Sequence, residues 1–478
     1  GVAPEIIEAA LNTVEFSLRE RNTGRFPQGL SIMLTSLTTW LYGRDPFMLL
    51  PFERPLEELR SRLASGERVF EQLIRELFID NPHRASLHLV PDHGLAARQA
   101  AEEEAELVEI RAGLVPAAVD RIVENTRELA RRQQREDDPA ALAALPSLRV
   151  TDLDRAAKVV PRGESRRPGL IISTPETSGI VYADLAFDLA GMPDELLPWA
   201  RTWAHTLTEI GTASQDYAAF ATRIASETGG IRTADLVSPT VSGGTAAAVL
   251  IRCRVLAQRV DRLAIILAEM LGTPRLDDSE RLARIVLARK ARIEESLIAS
   301  GHLVVDGRVR AMLHPSGAAA EAIRGLGEYA ALRAAGDHPD STILKRIHAN
   351  LAVRSRITLS LTASPGLADT AASILTKVTD GLPESGSEAW PRSMTGTVQP
   401  ASPLALTGPL KVHYVARGLD MASAGYQPHG SAVIAARTLS TGWLWNSVRV
   451  QGGAYGAFCR YSPFSGVLGM ASYRDPNL

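Results

Sequence analysis

The sequence predicts an α+β protein built of repeated modules, each a mostly antiparallel sheet covered by helices. Three observations lead there. The 478 residues are too many for one compact unit at roughly 100–200 residues per domain. Segments of period-two alternation such as GIVYADLAFDL and TAAAVLIRCRVLA are set among long helical stretches, the pattern of helices lying on one face of a sheet. A plan of strand, helix and two strands then restarts after a Pro/Ser/Gly-rich stretch at 381–408, which reads as an interdomain linker.

Taken in order, Pro4 suits a first helical turn, and Ile6, Ile7, Ala10, Leu11, Val14 and Leu18 recur at helical spacing. Leu30, Met33, Leu34, Leu37 and Leu41 make a second stripe, with shorter helices around 54–64 and 67–79. ASLHLVPD (85–92) alternates like a strand. From 95 to 135 two charged helices separated by AGLVP predict an αα-hairpin, followed by a linker at DDPAALAALPSL. Residues 148–380 form a module that could fold alone. In it GLIISTPE and GIVYADLAFDL flank Thr177-Ser178-Gly179 as paired strands flank a hairpin loop. Helices near 194–211 and 216–227 precede strands GGIRTADLVS and TAAAVLIRCRVLA. Helices at 257–272, 278–299 and between 315 and 350, strand RITLSLTA and a helix at 366–380 complete it. The last segment reads as strand PLKVHYVARGL, helix HGSAVIAARTLSTGWLWNSV and strands AYGAFCRYSP and GVLGMASYRD.

Composition excludes several classes of function. With 45% hydrophobic and 22% charged residues the chain can bury a large core, unlike a disordered or collagenous protein. Lys plus Arg (52) nearly cancels Asp plus Glu (54), without the basic surplus of a general nucleic-acid or anionic-membrane binder. Two cysteines, Cys253 and Cys459, are too few for a disulfide framework and fit a reducing, cytosol-like compartment. No run approaches the ~20 apolar residues of a membrane helix. The opening GVAPEIIEAALN has no initiator Met and no signal-peptide core, which fits a fragment or processed piece whose targeting segment has been lost.

The ten histidines form neither H-E-x-x-H nor H-x-x-E-H. His83, His88 and His93 are spaced for neither one helix face nor one strand face. His302 and His314 read as helix-end residues and His205 as a partly buried, satisfied histidine. G-x-S-x-G and phosphate-loop patterns are also missing, and the glycines of VSGGTAAA read as a turn. The stretch SVRVQGGAYGAFCRYSP is different. A helix ending near Val448, a tight turn at Gly452-Gly453 and a strand opening at Tyr455 could aim Arg449 and Tyr455 into a common space. Arg offers directed donors to a carbonyl or carboxylate, and Tyr a neutral donor to a developing oxyanion. On residue type alone, the Arg also reads as a helix cap and the Tyr as core.

RVQGGAYGAF followed by SGVLGMASYRDPN closely resembles the C-terminal half of the presequence-protease branch of the pitrilysin/insulinase-type zinc metallopeptidases. ALNTVEFSLRERNTGRFPQGLSIMLTSLTTWLYGRDPF resembles that branch's second module before its helical linker, and GIVYADLAFDLAGMPDELLPW its third. The resemblance covers essentially the whole chain. It implies the C-terminal part of the second peptidase module at 1–94, the hairpin linker at 95–147, the third module at 148–380, the linker at 381–408 and the front of the fourth module at 409–478.

The resemblance further implies half of a clamshell whose chamber admits unfolded peptides. Zinc would be held by the family's N-terminal half, whose inverted motif has no counterpart here. Arg449 and Tyr455 would contact the substrate backbone across the chamber, stabilising the oxyanion formed as zinc-bound water attacks, beside the substrate-binding turn Gly452-Gly453. The implied partners are unfolded peptides and the protein's own N-terminal half, with no nucleic acid and no membrane. The implied location is cytoplasmic, or organellar if a transit peptide has been lost. Two readings stay open on the sequence: part of an active zinc endopeptidase, or a non-catalytic structural or peptide-binding homologue.

Overall fold

The computed structural model describes residues 2–477 apart from residues 25, 136, 158, 164, 166, 337, 338, 392–397, 399–401 and 409. The middle of the expected 381–408 linker therefore lies outside the described residues. The chain divides into two units, Gly1–Glu67 with Val160–Leu478, and Arg68–Val159. The architecture is α+β.

The larger unit opens with α1 (Pro4–Glu20), α2 (Gln28–Trp40) and α3 (Glu53–Ala64). Pro4 sits in the first turn of α1, where its missing N–H costs nothing. The apolar stripe anticipated on α1 is not the face it buries: Ile6 and Val14 are more than half exposed, whereas Ala9, Asn12 and Phe16 are buried. The polar Asn12 decides this, because its amide nitrogen donates to the carbonyls of Ala225 and Thr228, both at 2.8 Å. Carbonyls at a helix end need such donors. Phe16 then lies over Gly229, where a Cβ would approach its ring to 2.3 Å.

The smaller unit contains α4 (Val69–Ile74) with a π-helical turn running on to Ile79, α5 (Leu95–Gly113), α6 (Pro116–Gln134) and α7 (Pro139–Ala143). The two charged helices form as expected, joined at Leu114-Val115. The strand expected at 85–92 does not. Among the described residues no strand pairs with it, and Leu87 and Leu89 are about nine-tenths exposed. Alternation alone cannot make a strand when the backbone has no neighbouring edge to bond to.

The sheet of the larger unit starts with β1 (Leu170–Ser173) and β2 (Ile180–Asp188). These are followed by α8 (Ala200–Glu209), α9 (Tyr217–Glu227), β3 (Ile231–Pro239), β4 (Thr245–Leu256), α10 (Val260–Gly272), α11 (Ser279–Ala299) and α12 (Gly301–Leu313). Then come α13 (Pro315–Arg324), α14 (Leu326–Ala335), α15 (Ser341–Leu351), β5 (Ile357–Thr362) and α16 (Pro365–Asp380). Strand order is β1-β5-β2-β4-β3, antiparallel except for β1 against β5. Leu185 and Phe187 of β2, Val249 and Ile251 of β4, and Leu361 of β5 are buried on one face. They join one core with Trp203 of α8, Leu263 and Ile266 of α10, and Leu375 of α16. Residues between them point the other way, where Asp184 and its cross-strand partner Arg252 pair at 3.0 Å.

The hairpin expected between β1 and β2 is corrected by this order. Thr177-Ser178-Gly179 does form a turn, with Ser178 and Gly179 both at positive φ and Ile180 N donating to Thr177 O. The strands on either side are separated by β5, which returns from far along the chain. Buried Ile357, Leu359 and Leu361 favour a central position, where both backbone edges of β5 are bonded.

A second, three-stranded antiparallel sheet has the order β6-β8-β7, with β6 (Ala416–Asp420), α17 (Gly430–Thr441), β7 (Gly456–Tyr461) and β8 (Val467–Tyr473). Among the described residues the expected strand at 409–419 is shortened to β6, preceded by a bridge between His413 and Asp475 and a bond from Ser472 N to Val415 O. The expected helix through Val448 breaks at Gly442 and resumes as a π-helix over Trp445–Gln451. This sheet rests on α12 at two glycines. A Cβ on Gly418 would come within 2.4 Å of Val309, and one on Gly301 within 2.4 Å of the Tyr414 ring.

Inside the main core, Trp203 Nε1 donates to His348 Nδ1 at 3.3 Å while His348 Nε2 faces Leu271 O at 3.1 Å. That pairing needs the neutral ring, and burial pushes the His348 pKa down. A histidine depressed on folding binds its proton more readily in the unfolded chain, so its stabilising effect is complete above the ordinary value of about 6.5 and is lost as pH falls below it. Burial also depresses His205, His302 and His314. Urea midpoints should therefore fall between pH 7.5 and 5.5, and His348→Gln should reduce that fall. An undiminished fall in the variant would contradict this role of His348.

Candidate functional site

Ser440 ties α17 to β7, because its hydroxyl accepts from Cys459 N at 2.7 Å and lies 3.0 Å from Cys459 O. Beyond α17, the π-helix over Trp445–Gln451 is wider than an α-helix. Its exit is marked by Gly452 N donating to Ser447 O, Gly453 N to Arg449 O and Ala454 N to Val448 O, at 3.0–3.1 Å. Both glycines are required by geometry. A Cβ at Gly452 would stand 2.6 Å from Val448 O, and Gly453 has φ +78°, where residues with a Cβ are strained. Tyr455 N then donates to Tyr473 O at 3.0 Å, and Gly456 opens β7 opposite Tyr473.

This path brings Arg449 and Tyr455 together. The Arg449 guanidinium carbon lies 4.1 Å from the Trp445 ring centroid and 5.5 Å from that of Tyr455. Tyr455 is 63% exposed, so it is not a core residue. Among the described residues Arg449 has no carboxylate partner and makes no side-chain hydrogen bond, and neither does the Tyr455 hydroxyl. Aromatic faces hold the guanidinium while leaving its in-plane N–H groups available. The arrangement can present several donors to one carbonyl or carboxylate.

The other residues singled out in the sequence make different contacts. His83, His88 and His93 are exposed residues of the smaller unit. His205 faces Glu209 at 3.2 Å. The Nδ1 of His314 accepts from Ser316 N and so caps the start of α13, while His302 packs against the rings of Phe458 and Tyr473. Gly243 turns β3 into β4. Burial raises the pKa values of Cys253 and Cys459, which keeps both as thiols. Among the described residues no group of three or more His, Cys, Asp or Glu side chains could hold a metal ion. Nor, among them, is any helix long and apolar enough to cross a membrane. Trp445 was missed in the sequence. Its spacing of four from Arg449 was the available signal.

A family model for the region associated with subfamily C of the M16 peptidases matches residues 89–334, and one described as PreP C-terminal domain matches residues 404–478. The chain belongs to this M16 peptidase-associated family. Presequence protease 1, chloroplastic/mitochondrial, of Arabidopsis thaliana is 33% identical over 493 residues, covering 100% of this chain and 45% of that protein. Protein HypA of Clostridium perfringens is 28% identical, covering 100% of this chain and 49% of its own length. A solved peptidase M16 inactive domain from Pseudomonas fluorescens is 18% identical with a TM-score of 0.45, over 66% of this chain and 74% of that one. The chain spans about half the length of the curated relatives it matches. Its second matched segment contains both Arg449 and Tyr455.

Gly453→Ala should cost about 1–2 kcal/mol by forcing a Cβ into left-handed backbone. Gly430→Ala, with open space around it, serves as the control. Urea unfolding at constant m-value reads both, and equal stability of the two variants would contradict the requirement for glycine at 453.

Proposed function

We propose that this chain is the C-terminal half of a zinc-dependent metalloendopeptidase that degrades unfolded peptides inside a closed chamber. The observation that supports this most is the pairing of Arg449 with an exposed Tyr455, donors unoccupied, in a segment matched by a PreP C-terminal domain. In this reading the chain is a part-module (1–94), a helical linker (95–147), a full module (148–380), a linker (381–408) and a further part-module (409–478). It acts with its own N-terminal half in a cytoplasmic or organellar compartment. In this reading the metal and its ligands belong to that other half; among the described residues no group of three or more His, Cys, Asp or Glu side chains could hold it. The near-neutral charge suits a chamber that handles peptides and not nucleic acid.

Arg449 and Tyr455 bind and orient the scissile carbonyl. Charge grows on the carbonyl oxygen as its carbon becomes tetrahedral, and donors fixed in advance then gain strength without reorganising. Trp445 supports the guanidinium plane, and in this reading the Gly452-Gly453 turn binds the substrate backbone beside both side chains. A non-catalytic homologue would use the same donors only to hold peptides.

Tyr455→Phe in the complete protein should lower kcat for peptide cleavage by about 10²–10³-fold, the usual cost of one oxyanion donor. Turnover within about twofold of wild type would sink the role of Tyr455. The isolated chain should retain no stoichiometric zinc and cleave no peptide. Chelator-sensitive cleavage by this chain alone would contradict the division of labour.

A further inference from the structure

The segment Ser472–Asn477, the SYRDPN of the sequence, braces both ends of the Arg449–Tyr455 loop. Tyr473 meets Tyr455 twice. Its carbonyl accepts from Tyr455 N at 3.0 Å, and the two rings stand edge to face with centroids 5.6 Å apart. Tyr473 is itself in contact with the His302 ring at 4.7 Å and the Tyr414 ring at 5.9 Å. Tyr414 is anchored in turn by donating its hydroxyl to Ile298 O at 2.8 Å.

Arg474 adopts φ +48°, a left-handed conformation unusual for a residue with a side chain and one maintained only by surrounding contacts. The bend turns the chain back toward the glycine loop, and Arg474 O lies 3.3 Å from Tyr455 N. Asp475 follows, paired through its backbone with His413, and its carboxylate accepts from Asn477 N at 3.0 Å. Asn477 Nδ2 then donates to Gly452 O at 2.6 Å, while Pro476 lies against Gly453. One short segment therefore holds the exit of the π-helix that carries Arg449 and the strand start that carries Tyr455.

We propose that Tyr473 and Asn477 are positioning residues that set Tyr455 against Arg449 for the scissile carbonyl, Tyr473 through the Tyr455 ring and Asn477 through the Gly452 carbonyl. The proposal rests on the reading of Arg449 and Tyr455 as carbonyl donors. Neither Tyr473 nor Asn477 touches substrate in it. Donors that strengthen only as the oxyanion forms must be placed to within fractions of an ångström, so loosening the brace lowers kcat more than it raises KM.

The test is a set of variants in the complete protein, assayed on one fluorogenic peptide with thermal unfolding followed in parallel. Tyr473→Leu removes the ring and should lower kcat about 10- to 100-fold with KM changed less than about threefold. Tyr473→Phe keeps the ring and should stay within about twofold of wild type. The exposed Asn477→Ala should lower kcat without lowering the unfolding temperature. In a Tyr455→Phe background Tyr473→Leu should cost almost nothing further, because residues acting through one another are non-additive. If Tyr455→Phe is costly while Tyr473→Leu and Asn477→Ala are not, or if Tyr473→Leu costs the same in both backgrounds, the brace is overturned and the donor reading stands. If Tyr455→Phe itself is without effect, the donor reading fails and the brace with it.

Discussion

The hydrogen bond from Tyr455 N to the Tyr473 carbonyl is the point on which the candidate site depends. It adjoins the pairing of β7 with β8 and ends the glycine turn. On one side lies the π-helix with Arg449, on the other the strand whose Ala457, Cys459 and Tyr461 pack with Ala432 and Ala436 of α17. A backbone bond at this place has a structural consequence beyond its modest net energy of about 0.5–1.5 kcal/mol. It fixes which face of the sheet Tyr455 leaves from, because a slip of one residue would send the ring to the opposite face.

That small sheet gains rigidity from α12, which is joined through α13 to the body of the larger unit. There, Glu328 is almost fully buried, with its carboxylate bonded by Arg289 and by Arg201 at 2.9 Å. Arg201 also reaches Asp235 at 3.1 Å, and Arg324 meets the same carboxylate at 2.7 Å. Such a network adds little over a well-packed apolar core, but losing one member would strand a buried charge at a cost of about 3–5 kcal/mol. It fixes the positions of α8, α11, α13 and α14 relative to β3, which is what a platform for α12 requires. Arginine suits these positions, since its planar fork bonds a carboxylate through two nitrogens at once.

Local patterns were readable where a single element determined its own burial. The alternation of GIVYADLAFDL and TAAAVLIRCRVLA predicted the strands β2 and β4, and the charge pattern on either side of AGLVP predicted the two helices α5 and α6. Long-range pairing was not readable. Nothing within 170–188 indicates that β5 inserts between β1 and β2, and the alternation within 85–92 carries no information about a partner strand. On α1 the stripe of Ile6, Val14 and Leu18 outweighed Asn12 by hydropathy, yet the two carbonyls waiting at 225 and 228 selected the other face. At the site, Gly452-Gly453 announced a turn, and the turn brought Arg449 near Tyr455. Their assignment to a carbonyl came from family resemblance, since residue type alone fitted a cap and a core position equally. The partnership of Asn477 with Gly452, 25 residues apart, has no local sequence signal.

The central question is whether one carbonyl is held by both side chains. The direct measurement is a structure of the complete protein with an uncleaved peptide bound. A single backbone carbonyl oxygen should lie about 2.7–3.1 Å from a guanidinium nitrogen of Arg449 and from the hydroxyl of Tyr455. A bound peptide whose scissile carbonyl lies beyond hydrogen-bond reach of both side chains would contradict it.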